Sequence, residues 1–156
     1  MSEMTLTLAP SSTDSDLYSL GRVGSLRWEQ SKRPFVVSAQ SGPSCWRFAQ
    51  TGRFRQNATS TDADGAQIAT YRTRGWTRSG GTILWDAREL KLRPTALLHI
   101  NFSLDEGKHS LAELWSDRDG NVVVGADDVL GVDAGPLLLA AFVVRAQILC
   151  TVPAGL

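Results

Sequence analysis

The stretch Gly135-Pro136-Leu137-Leu138-Leu139-Ala140-Ala141-Phe142-Val143-Val144-Arg145-Ala146-Gln147-Ile148-Leu149 decides the architecture of this chain. Residues 137–144 contain no polar side chain. Pro136 suits the first turn of a helix, where its missing N–H leaves nothing unpaired. Asp133, just upstream, places negative charge near the helix's positive end. A helix over 136–149 is about 21 Å long. A bilayer core is ~30 Å thick and takes roughly 20 apolar residues, a length that Arg145 and Gln147 interrupt. The stretch therefore predicts no transmembrane span. A helix that is apolar on every side and does not cross a membrane must be surrounded by protein.

The surrounding material is β. Pro34–Ser38 is a short apolar run closed by Gly42-Pro43, and Cys45–Ala49 alternates polar and apolar residues. Gly52–Gln56, Gln67–Thr73, Thr82–Trp85, Glu89–Arg93, Ala96–Ser103, Ser110–Ser116 and Asn121–Gly125 continue the series. Short β-prone runs separated by Gly, Pro, Asn and Asp predict a meandering antiparallel sheet or barrel of about ten to twelve strands. Two turns share a pattern: Thr61-Asp62-Ala63-Asp64-Gly65 and Ser116-Asp117-Arg118-Asp119-Gly120. Asp-Gly is a tight-turn signal, and the likeness points to two hairpins in related halves of one sheet, as after a duplication. The spacing is wrong for a calcium loop, because no glutamate closes either turn at the required distance.

These features together resemble the tubby-like superfamily, which includes tubby C-terminal domains, phospholipid scramblases and LURP-one-related proteins. The resembling segments are Trp46–Arg74 with its Asp-x-Asp-Gly turn, Trp85–Trp115, and the apolar helix introduced by Val132-Asp133. The resemblance is one of pattern and spans most of residues 44–150. It implies a closed antiparallel barrel of about twelve strands around a buried hydrophobic C-terminal helix. It also implies a non-enzymatic binding module, since tubby domains bind phosphoinositide headgroups. The domain expected on this basis covers 17–156, with the helix at 136–149, behind a flexible polar tail at 1–16.

Length and composition agree with a single domain. The chain has 156 residues and a mass of 16.9 kDa, with 16 Lys+Arg against 16 Asp+Glu. A domain of this size buries roughly 70% of its unfolded surface and needs no disulfide staples. Cys45 and Cys150 lie in no CxxC pair, and both are expected to be buried or inert thiols. The polar first residues lack a secretory pattern, so a cytoplasmic location is expected; the resemblance implies that it is peripheral at a membrane.

The zero net charge excludes a generally basic nucleic-acid coat, and no nucleic-acid partner is expected. It hides a split, however. Residues 22–93 hold thirteen bases and five acids, and residues 94–156 hold three bases and eight acids. Within the basic segment Arg53 and Arg55, Arg72 and Arg74, and Lys91 and Arg93 are each two apart. In a strand such pairs share a face. With Arg78 from the adjoining loop, these seven residues form a candidate anion-binding site. An anionic membrane lipid surface is the partner that the resemblance suggests. The other reading is a protein-interaction or structural scaffold without lipid binding.

No catalytic or metal constellation is evident, and no cofactor is expected. His99 and His109 read as sheet or turn residues, without a zinc-like i, i+4 pair and without a Gly-x-Ser-x-Gly nucleophile elbow. Gly75–Thr82 meets the glycine spacing of a phosphate loop, but Gly81 stands where the lysine belongs. Of the tryptophans, Trp46, Trp85 and Trp115 fall in strands and are assigned to the core, while Trp76 sits in a glycine-rich loop.

Overall fold

The fold was obtained as a computed structural model that describes residues 4–30, 32–51, 57–73, 80–96 and 99–151. It is a closed barrel of twelve antiparallel strands with one helix through its interior. The strands are β1 (Met4–Pro10), β2 (Leu17–Leu20), β3 (Gly24–Gln30), β4 (Val36–Ser41), β5 (Ser44–Thr51), β6 (Asn57–Asp62), β7 (Gln67–Thr73), β8 (Gly81–Trp85), β9 (Arg88–Pro94), β10 (Asn101–Glu106), β11 (His109–Ser116) and β12 (Val122–Ala126). A single 3-10 turn at Val129–Gly131 leads into the helix α1, Ala134–Thr151. The strands lie around the barrel in chain order, and β1 closes it by pairing with β12 from Met4↔Ala126 to Leu8↔Val122.

The helix is buried as its composition requires. Every residue from Gly135 to Val144 is buried, as are Ala146 and Ile148. It begins two residues earlier than the proline signal suggests, because the Asp133 carbonyl accepts the first helical bond from Leu137 N at 3.2 Å, and it ends two residues later. Phe142 packs against Trp28 and Phe48, with ring centroids 5.8 and 6.0 Å away. The start of the helix lies so close to Trp85 that a Cβ on Gly135 would fall 2.3 Å from the indole Cζ2. Only glycine admits that approach. Inward strand positions complete the core: Phe48, Ile83, Leu90, Leu92, Leu104 and Leu114 are all at most 1% exposed.

The tail expected at 1–16 is instead partly a structural element. Met4-Thr5-Leu6-Thr7-Leu8 alternates, and its Leu8 is fully buried. Among the described residues of that tail, only the polar stretch from Ser11 to Asp16 behaves as connection, the turn between β1 and β2. Strands β2, β3 and β6 also lie outside the runs recognised by composition. They carry serine, threonine and arginine at outward positions, and β3 has a glycine at an inward one, which dilutes the β signal. The expected strand Gly52–Gln56 lies outside the described residues.

The two Asp-Gly turns have the same geometry. Asp62 Oδ1 accepts from the backbone N–H groups of Asp64 (2.9 Å) and Ala66 (3.0 Å). Asp117 Oδ1 accepts from Asp119 and Asn121, both at 2.9 Å. Gly65 and Gly120 take φ of +85° and +80°, which explains the glycine in both. The turns join β6 to β7 and β11 to β12, five strands apart. In an antiparallel meander an odd offset puts them at opposite ends of the barrel, whereas a tandem half-repeat of six strands would put them at the same end. Shared turn chemistry therefore accounts for the likeness without a duplication.

No helix among the described residues is long and apolar enough to cross a membrane. Replacing Phe142 with Ala is expected to cost about 3–5 kcal/mol of unfolding free energy by opening a cavity at the barrel's centre. Urea denaturation followed by tryptophan fluorescence reads this, and a cost below about 1 kcal/mol would contradict a tightly packed helix.

Candidate functional site

Because strand order follows chain order, the charge split in the sequence becomes a split around the barrel. Residues 22–93 supply β3 to β9, seven consecutive staves, and the acidic remainder supplies β10 to β12 and the approach to the helix. Of the seven candidate residues, Arg53, Arg55, Arg74 and Arg78 lie outside the described residues, as does Trp76. The other three, Arg72, Lys91 and Arg93, are exposed and share one outer face.

Register brings these three together. Arg72 pairs with Thr82, Thr82 with Lys91, and Lys91 with Asp105, so one row of side chains runs outward across β7, β8, β9 and β10. Strand spacing puts Arg72 and Lys91 about 10 Å apart, and strand rise puts Lys91 and Arg93 about 7 Å apart. Leu90 and Leu92 point into the core at 0% and 1% exposure, which fixes Lys91 and Arg93 on the outside. The face holds a groove of about 460 Å³ lined by Arg72, Thr82, Glu89, Lys91 and Arg93. Leu84, 46% exposed, stands one alternation along β8 from Thr82 and gives the face an apolar neighbour.

Two carboxylates temper the charge. Glu89 lines the groove. Asp105, only 16% exposed, accepts from Arg93 Nε at 3.1 Å and from the Ser103 hydroxyl at 2.5 Å. Glu89 is legible in the alternation of β9. Asp105 is not, because its nearness to Lys91 and Arg93 arises only when β10 pairs with β9.

A larger groove, about 660 Å³, lies on another face, over β2 to β6, with Arg27, Ser38, Cys45, Arg47 and Asp62 on its walls. Its size does not make it the better anion site, because its arginines are already paired. Arg27 meets Asp14 at 2.6 Å, and Arg47 meets Glu29 at 3.2 Å. The Arg27 guanidinium holds the Asp14 carboxyl below its ordinary range. Cys45 is an exposed free thiol in this groove, and Cys150 is a half-buried one.

The comparisons with known proteins add nothing to this geometry. No family model, curated protein or solved structure matches the chain. Chemistry must therefore be judged from the residues. Among the described residues no group of three or more His, Cys, Asp or Glu could hold a metal ion. His99 and His109 are both exposed, with His109 opening β11. Trp85 is 7% exposed and Trp46 packs edge-on against it at 5.5 Å, as core residues should. Trp115 differs: Ala112 and Leu114 take the inward positions of β11, so Trp115 lies on the outer face, half-buried.

Two polar clusters that sequence reasoning missed fasten the helix. At its start Arg88 grips Glu106 with two bonds, 2.9 and 3.1 Å, and reaches Asp133 at 2.7 Å. Near its end Arg145 donates to the Gly120 carbonyl and to the Tyr18 hydroxyl (3.3 Å), with its guanidinium 5.4 Å from the Tyr18 ring centroid. The bond to Arg88 holds the Glu106 carboxyl below its ordinary range. A carboxyl lowered in the folded state stabilises above its unfolded titration range, and that contribution is lost as pH falls through the folded value. Arg88→Gln should therefore move the Glu106 titration upward toward the ordinary glutamate range, read by carboxyl NMR. It should also flatten the acid-side loss of stability relative to wild type. An unmoved Glu106 titration would show that the pair does not set it.

Proposed function

We propose that this chain is a non-enzymatic binding module that holds an anionic phospholipid headgroup against the outer face of β7, β8 and β9, peripheral at a membrane. The observation that carries the reading is the row Arg72–Thr82–Lys91, with Arg93 one alternation further along β9. Three cations of one face around a groove, beside the exposed Leu84, suit a surface where phosphates meet acyl chains. Arg72 and Lys91 make no ion pair among the described residues, so their charge is available. The resemblance to the tubby-like superfamily supports the same ligand class. The remaining candidates, Arg53, Arg55, Arg74 and Arg78, lie outside the described residues.

A specific observation favours the other reading, a protein-interaction or structural scaffold. Glu89 and Asp105 offset much of the charge of this face. Flotation with phosphatidylcholine vesicles, with and without phosphatidylserine, separates the two. The lipid reading expects binding that needs phosphatidylserine and weakens with salt. Each surface cation contributes about 1 kcal/mol to such binding, so Arg72→Gln with Lys91→Gln should weaken it about thirtyfold. Wild-type protein that ignores phosphatidylserine would overturn the lipid reading and leave the scaffold.

A further inference from the structure

We infer that Asp105 is a built-in counterion that sets the affinity of the β7–β9 face for its anion by occupying Arg93. The inference rests on the headgroup reading above and adds its regulation. The geometry is specific. Asp105 is the direct cross-strand partner of Lys91, and its carboxylate turns to Arg93 Nε at 3.1 Å. It is held there from behind, because the Ser103 hydroxyl donates to its other oxygen at 2.5 Å and itself lies 3.0 Å from the Ser110 hydroxyl. Ser103 is 3% exposed although its strand position faces outward, so this relay is covered. Asp105 is 16% exposed while Arg93 is 61% exposed. The carboxylate is therefore fixed, and the guanidinium is the partner free to swing.

An arriving phosphate must share Arg93 with Asp105 and sit near a negative charge beside Lys91. Two consequences follow. Arg93 contributes less to anion binding than its exposure suggests. Removing the Asp105 charge strengthens binding at one place on the barrel rather than through net charge alone.

The test uses the full chain with phosphatidylcholine vesicles containing phosphatidylserine, and, in parallel, soluble pyrophosphate. Asp105→Asn should bind the vesicles about threefold to fivefold more tightly than wild type, the scale of one exposed charge pair. Asp64→Asn removes the same charge from the β6–β7 turn, which does not line this groove, and should change binding less. Arg93→Gln should cost little in wild type and more in the Asp105→Asn background, a coupling read by a double-mutant cycle. A gain with vesicles alone assigns the ligand to a membrane surface, and a gain with pyrophosphate as well assigns it to phosphate as such; both support the role of Asp105. If Asp105→Asn fails to fold by thermal unfolding, Asp105→Ser, which keeps a hydroxyl partner for Ser103, takes its place. Wild-type binding unchanged in the Asp105 variants, or matched by Asp64→Asn, would overturn the inference while the headgroup reading stands. Absence of binding by every protein would overturn the headgroup reading itself.

Discussion

The structure depends on the burial of a helix that has no polar side to show. An amphipathic helix needs one apolar neighbour, but α1 needs apolar contacts on all sides at once. A flat sheet covers one side and a sandwich two. A closed barrel covers every side, and its diameter grows with strand number, so that where eight strands are filled by their own side chains, twelve leave room for a helix. The requirement reaches individual residues. Trp28 on β3 and Phe48 on β5 meet Phe142 from either side of β4, and Gly135 exists as glycine because Trp85 occupies the space of its Cβ. Closure also removes sheet edges, so the barrel offers no strand for another chain to extend. Any recognition must use outward side chains or the rims.

The helix needs anchoring as well as burial, since uniform apolarity gives it no preferred rotation or depth. The anchors are polar and sit at its two ends. Arg88 ties the approach residue Asp133 to Glu106 on the rim, and Arg145 ties the last turns to Gly120 and Tyr18. Arg145 is the residue that interrupts the apolar run in the sequence. Its position near the barrel's end, within reach of a carbonyl, a hydroxyl and an aromatic ring, explains how a charge is tolerated there.

A meander that closes in chain order has a simple electrostatic consequence: neighbours in sequence remain neighbours around the barrel. The zero net charge of the whole chain thus conceals a basic sector, β3 to β9, and an acidic sector beyond it. Within the basic sector many cations are neutralised locally, as Arg27 and Arg47 are. On the face of β7 to β9 Arg93 is likewise paired, with Asp105, while Arg72 and Lys91 carry no such partner among the described residues.

The sequence by itself determined the parts that follow from local chemistry. The run 137–144 required enclosure, the alternation of Leu90, Lys91, Leu92 and Arg93 assigned inside and outside, and the Asp-Gly turns announced hairpins, because each depends on residues a few positions apart. The tertiary structure decided what depends on pairing between distant segments. It recruited Met4–Pro10 as the closing strand, since a barrel interior accepts even a weakly apolar strand when both edges need a partner. It set the two Asp-Gly turns at opposite ends, and it placed Trp115 outside. It also put Asp105 beside Lys91 and Arg93, which no spacing within β9 or β10 could reveal. Register is a relation between strands, and only folding establishes it.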